Sequence, residues 1–155
     1  MLFSNSQHPQ TESIFMTSYD VEFKMHVRDY ELDTQGVVNN SVYQNYLEHA
    51  RHQFLKTLGL NFNDLHKNGV DAVVHKIELE YRKPLVGDDQ FIVRSRIREK
   101  GHVRYLFEQD IYRLPDDELT LKGVVTTVFM TNGRPIRPPE SVTEALRKFR
   151  EIKNP

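Results

Sequence analysis

The stretch "DTQGVVNN", residues 33–40, holds one carboxylate and no other charge, and a strongly helical segment opens directly behind it at Ser41. An ionised carboxylate beside an electrophilic carbon can do one of two things. It can attack as a nucleophile, or it can take a proton from an attacking water. A helix N-terminus supplies the complementary part, because its first N–H groups are unpaired and carry the positive end of the helix dipole. Aimed at a carbonyl oxygen, such donors form an oxyanion hole, and losing one costs roughly 100- to 1000-fold in rate. The same residues have a plainer use. Asp33 is a common turn former, Gly36 permits a tight turn, and Asn39 and Asn40 are good caps. The octapeptide alone leaves both uses open.

Other chemistry is thinner. The chain has no cysteine, which removes thiolate nucleophiles, disulfides and cysteine-bound zinc. His49 and His52 lie three apart without a third ligand, and "EHARH" is not the His-Glu-x-x-His of a zinc helix. His26, His66, His75 and His102 are scattered, so no metal is expected. Glu48 falls beside Arg51 and His52, where a structural ion pair is its simplest role. Net charge is −1, so no broad field attracts nucleic acid or an anionic membrane. No apolar run approaches the roughly 20 residues that span a bilayer. Residues 1–18 lack arginine, a basic start and an apolar core, and are expected to be a flexible tail rather than a targeting segment. With the absence of cysteine, this suits a cytoplasmic protein.

Several elements must position the acid. "VEFKMHVR" sends Val21, Phe23, Met25 and Val27 to one side and charged residues to the other, the pattern of a half-buried strand. "SVYQNYLEHARHQFLKTLGL" repeats Tyr43, Tyr46, Leu47, Ala50, Phe54 and Leu58 at steps of three and four. Its opposite face carries Gln44, Asn45, Glu48, Arg51, His52 and Lys56. Ser41 with Gln44 reads as a capping box, and Gly59 suits the C-cap. A shorter helical turn fits "NFNDLHKNG". Four strands follow. The first has Val73, Ile77, Leu79 and Tyr81 in phase. The second sets Phe91, Val93 and Ile97 against Arg94, Arg96 and Arg98. The third has Val103, Tyr105, Phe107 and Ile111 in phase, and the fourth, "LTLKGVVTTVFMT", is apolar on both faces and therefore central. The breaks "VGDD", "EKG" and "LPDDE" are short, which favours antiparallel neighbours. "NGRPIRPP" ends the sheet. Ser141 and Glu144 read as a second capping box before an amphipathic helix with Val142, Ala145, Leu146, Phe149 and Ile152. One domain of 155 residues buries enough surface to fold without staples. An α+β arrangement follows, an antiparallel sheet curled around one central helix. Its edge strands invite a second subunit.

At "YELDTQGVVNNSVYQNYLEHARHQFLKTLG" the chain resembles the hot-dog-fold acyl-CoA thioesterases of the 4-hydroxybenzoyl-CoA thioesterase family. The residues that carry the likeness are Asp33, Gly36, Val37, Val38, Tyr43, Glu48, Ala50 and Arg51. The element order over residues 20 to 131 matches too, and "YRKPLVGDD", residues 81–89, is similar to the family's second recurrent segment. The resemblance implies a hot-dog domain over residues 19–155, a five- to six-stranded curled sheet around a long helix. It implies hydrolysis of a fatty or aromatic acyl-CoA, with Asp33 as nucleophile or general base, Gly36 shaping its loop, and the Asn40 backbone N–H in the oxyanion hole. Asn39 and Tyr43 would border the substrate. Arg82 and Lys83 would meet coenzyme A phosphates, or else simply pair across strands. It implies homodimers or homotetramers with active sites between subunits, and no metal or redox cofactor. Many relatives carry an aromatic residue and a His or Tyr where this chain has Asn39 and Asn40, a departure that bears on substrate preference. Three other readings remain. The carrier could be acyl carrier protein. The reaction could be hydration, although the loop offers no His before His49. The fold could bind acyl-CoA without catalysis.

Overall fold

Strand alternation and helical stripe separate cleanly in the computed structural model, which describes residues 19–155. The expected tail over residues 1–18 lies outside the described residues. β1 (Val21–His26) leads through one turn of 3-10 helix, Asp29–Glu31, and the Asp33 loop into α1 (Val42–Thr57). Then come α2 (Phe62–Lys67), β2 (Asp71–Tyr81), β3 (Gln90–Lys100), β4 (Arg104–Leu114), β5 (Glu118–Thr131), β6 (Arg134–Ile136) and α3 (Glu140–Lys153). The six strands form one antiparallel sheet in the order β1-β3-β4-β5-β2, with β6 paired to the end of β5. β5 is an interior strand, flanked by β4 and by the edge strand β2; the middle place, which its doubly apolar run led us to expect for β5, is taken by β4.

The sheet curls around α1, and the helix packs tightly on β5 at Gly123. A Cβ there would lie 3.1 Å from the Gln109 carbonyl, from Leu47 Cδ1 and from Leu79 Cδ2. Only a residue without a side chain lets the helix sit so near the strand. Along α1 the core divides into two clusters. One surrounds the N-terminal half with Tyr43, Tyr46, Leu47, Leu85, Phe91 and Ile111. The other surrounds the C-terminal half with Phe54, Ile97, Tyr105, Phe107, Phe129 and Leu146. The helix spans about 24 Å at 1.5 Å per residue, so the clusters occupy opposite ends.

Several expectations are corrected. Ser41 has helical dihedrals and its side chain caps nothing. Its N–H and hydroxyl donate instead to Asn39 Oδ1, at 3.1 and 3.0 Å, because an Asx turn two residues long forms more easily than a longer box. Ser141 lies inside α3, which starts at Glu140 behind Pro139. Pro139 presents its carbonyl to the Val142 and Thr143 N–H groups, and Glu144 pairs with Arg147 at 2.6 Å. In β2 the ladder slips between Val74 and Lys76. The extra residue puts Val73 on the face opposite Ile77, Leu79 and Tyr81, rather than in phase with them. Arg51 is not on a solvated helix face: it is only 8% exposed. Val103 falls in the turn ahead of β4 rather than in its apolar phase, whereas the expected end of α1 and the short helix after it are found. Gly59 ends α1 at φ +73°, and Asn61 caps α2 by accepting from the Asn63 and Asp64 N–H groups. Among the described residues no helix is long and apolar enough to cross a membrane.

Candidate active site

The Asp33 loop is a three-residue hairpin connection. Leu32 and Val38 face each other in an antiparallel bridge. The Asp33 N–H donates to the Val37 carbonyl at 2.8 Å, and the Gly36 N–H returns to the Asp33 carbonyl at 3.1 Å. Gly36 has φ +79°, the left-handed conformation that completes a type I turn followed by a bulge. The carboxylate belongs to this turn: Oδ1 accepts from the Gln35 N–H at 2.8 Å and the Val37 N–H at 3.4 Å. Oδ2 receives no hydrogen bond from any described residue. One oxygen of this half-buried side chain is committed to the turn, and the other meets no donor among the described residues.

Asn39 and Asn40 divide in the same way. The Asn39 N–H donates to the Glu31 carbonyl at 3.0 Å, and its side chain holds Ser41. The Asn40 N–H, at the entry to α1, meets no acceptor among the described residues. Its carbonyl does: Tyr81 donates its hydroxyl to it at 2.9 Å. Tyr43, 3% exposed, stacks edge-on against Tyr81 with ring centroids 5.4 Å apart. Its hydroxyl accepts from the Leu85 N–H at 3.0 Å, and burial raises its pKa above the ordinary value. The Val38 N–H donates to the Leu85 carbonyl at 2.9 Å, and Val37 bridges Val86. The segment 81–89 is thus laid along the Asp33 loop. Two short motifs, far apart in the chain, form one corner.

A cavity lies elsewhere. It measures about 840 Å³ and opens past Glu48, His49, His52 and Lys56 of α1. Ala72 and Val74 of β2 form one wall, while Ile97, Tyr105, Phe107, Phe129, Val142 and Leu146 lie on its inner side. Asp33, Gly36, Asn39, Asn40 and Tyr43 do not line it. The catalytic candidates and the apolar cavity occupy different ends of α1 in one chain.

Residues 27–146 match the family described as the thioesterase-like superfamily. The chain belongs to that superfamily. It is 38% identical over 132 residues to a chloroplastic acyl-acyl carrier protein thioesterase of Arabidopsis thaliana, covering 84% of this chain and 68% of that one. It is 27% identical over 108 residues to the long-chain acyl-CoA thioesterase FadM of Escherichia coli, covering 70% and 81%. A Thermus thermophilus thioesterase, crystallised with coenzyme A and Zn, shares the fold at a TM-score of 0.74 and 27% identity, covering 88% of this chain and 98% of that one. The protein is a thioesterase with the α+β hot-dog fold.

The thioesterase's basic candidates are exposed and engaged with acids. Arg82 meets Glu80 at 2.9 Å and Lys83 meets Glu118 at 2.7 Å. Their backbone N–H groups both donate to the Thr120 carbonyl, so the pair follows directly from the Tyr81 corner. On the β3–β4 hairpin, Arg94 pairs with Glu22 and Asp117, and Arg98 with Glu108. Glu48 lies 3.9 Å from His52, both exposed at the cavity mouth.

Sequence reasoning missed a buried polar network in the thioesterase. Arg51 donates to Gln109 Oε1 at 3.0 Å, and Gln109 Nε2 donates to the Leu47 carbonyl and to Ser95 Oγ, both at 3.1 Å. Burial lowers the Arg51 pKa. The signal was present: Ser95 and Gln109 sit in the apolar phase of β3 and β4, and a polar residue at a core position needs a partner.

Proposed function

We propose that the protein hydrolyses acyl-CoA thioesters at a site carried by Asp33 and the start of α1. The observation that supports this reading is the divided carboxylate. Two backbone amides hold Oδ1, and among the described residues neither Oδ2 nor the nearby Asn40 N–H has a hydrogen-bond partner. As nucleophile, Oδ2 forms a bond to the thioester carbonyl carbon. The developing oxyanion is received by the Asn40 N–H, the C–S bond breaks, and its electron pair leaves on sulfur. Water then cleaves the mixed anhydride. As general base, the same oxygen takes the proton of a water that attacks the carbonyl. In both routes the thiolate leaves readily, so no strong acid is needed.

A second copy of the chain joins the two halves of the site. Among the described residues β2 pairs only with β5, which leaves its other edge open, and Val73, Val74, Ile77 and Tyr81 are exposed on it. Open apolar edges seek strands. Pairing two copies of β2 antiparallel about its middle sets the Tyr81 end of one against the Ala72–Val74 end of the other. That brings the Asn40 and Asp33 corner of one copy to the cavity of its neighbour. The apolar walls suit a fatty acyl chain, and Arg82 and Lys83, near the same corner, suit coenzyme A phosphates. A chain without cysteine suits the cytoplasm for this work.

The decisive measurement is thiol release across an acyl-CoA panel for wild type and Asp33→Ala. The expected result is turnover in the wild type and a loss of about 100- to 10,000-fold in the variant, with melting temperature and oligomer size retained. Undiminished turnover in the variant would remove Asp33 from the mechanism. Binding without thiol release in the wild type would favour a non-catalytic binder. The Arabidopsis relative supports a second reading, in which acyl carrier protein delivers the acyl group. The same acyl chain offered on both carriers at equal concentration separates them.

A further inference from the structure

Arg51 lines the cavity and is 8% exposed. Among the described residues its guanidinium has one acceptor, Gln109 Oε1, which Nη1 meets at 3.0 Å. Nε and Nη2 bond no described residue. They are not sealed in. Among the described residues, the buried side-chain atoms with neither open surface nor a partner are the hydroxyls of Tyr46 and Tyr105. The unbonded edge of Arg51 therefore keeps surface in the cavity that it lines. No acid among the described residues pairs with it. Glu48, one turn back on α1, has a side chain 56% exposed and lies 3.9 Å from His52. Tying down Gln109 needs only a neutral N–H, whereas a guanidinium adds a charge that arginine does not lose near neutral pH. A buried charge without a counter-charge is costly. Ile97, Phe107, Phe129, Val142 and Leu146 make the inner wall apolar, so that wall offers none.

We propose that Arg51 makes this cavity a binding site for a carboxylate carried on an apolar chain. The planar fork of Nε and Nη2 matches the two oxygens of a carboxylate, and the inner wall packs the chain. A carboxylate is preferred to a hydroxyl or a plain alkyl end because it cancels the buried charge. Two sources supply that chemistry. One is a free fatty acid, held by its head group. The other is the distal carboxylate of a dicarboxylic acyl-CoA. The second source rests on the thioesterase reading of the cavity as the acyl site, and the first does not.

The test measures displacement of a neutral solvatochromic dye by decanoate and by decanol, for wild type, Arg51→Met and Arg51→Lys. Without the cation an apolar cavity favours the alcohol, since the carboxylate loses its hydration. The wild type should bind decanoate about tenfold more tightly than decanol. Arg51→Met should reverse that order with decanol affinity kept within about twofold, and Arg51→Lys should keep a preference for decanoate. Decanol bound as tightly as decanoate by the wild type would overturn the proposal, and so would a preference for decanoate that survives in Arg51→Met. Circular dichroism checks folding; should Arg51→Met fail to fold, the wild type and Arg51→Lys decide the matter. Thiol release then separates the sources. Faster cleavage of the mono-CoA thioester of decanedioic acid than of decanoyl-CoA, lost in Arg51→Met, places the carboxylate at the far end of the substrate. Inhibition of decanoyl-CoA cleavage by decanoate, relieved in Arg51→Met, places it on a free acid. If no thioester is cleaved at all, the functional reading fails separately and the displacement result stands.

Discussion

The two ends of α1 are built on opposite plans. At the N-terminal end, backbone atoms are tied closely: the Asp33 turn closes on itself, Val38 bonds Leu85, and Tyr81 holds the Asn40 carbonyl. The groups left over, Asp33 Oδ2 and the Asn40 N–H, meet no partner among the described residues. At the C-terminal end the helix, β2 and α3 stand apart around a cavity of about 840 Å³. In the proposed reading, pre-organisation at one end would serve bond-making, where small displacements are costly, and space at the other would serve choice among chains by shape.

Breaking the link between the ends should have the largest effect. Val73→Asp places a charge on the open edge of β2, where Val73 is 42% exposed in the single chain. The chain should fold, assembly should fail in size-exclusion chromatography, and turnover should drop about 100-fold. A monomeric variant that kept its activity would mean that the ends do not need a second copy. Narrowing the cavity should touch only choice: Leu58→Trp should lower kcat/KM on the longest accepted chains about tenfold while sparing short ones. Loosening the rigid end should do the reverse. Tyr81→Phe frees the Asn40 carbonyl and should reduce kcat by about two- to tenfold with KM little changed. An effect on KM alone would place Tyr81 in binding instead.

The smallest effect is a shared one. Burial raises the pKa of Tyr43, Tyr46 and Tyr105 above their ordinary 10.0. The folded chain holds these protons more tightly than the unfolded chain. Their contribution to stability is complete below pH 10.0 and is lost as pH rises through the folded values, about 12 for Tyr105. Urea midpoints measured upward from neutral pH should stay level and then decline above pH 10.0. A decline beginning near neutrality would point to other groups.

Local spacing alone determined a good deal of this molecule. Period-two alternation placed β1, β3 and β4, period-3.6 recurrence placed α1, and the doubly apolar run placed β5 inside the sheet rather than at its edge. The turn at Asp33–Gly36 was legible because Asp and Gly meet its dihedral demands within four residues. Tertiary structure decided what no window could hold. Arg51 is turned inward because Gln109, 58 positions away, offers an acceptor there. Tyr81 anchors the Asn40 carbonyl from 41 positions away. The slip in β2 is visible only against its partner β5, and the cavity exists only where α1, β2 and α3 fail to close on one another. Side-chain periodicity follows from backbone geometry and travels with the chain. The pairing of buried polar groups depends on which distant atoms the packed core brings within reach.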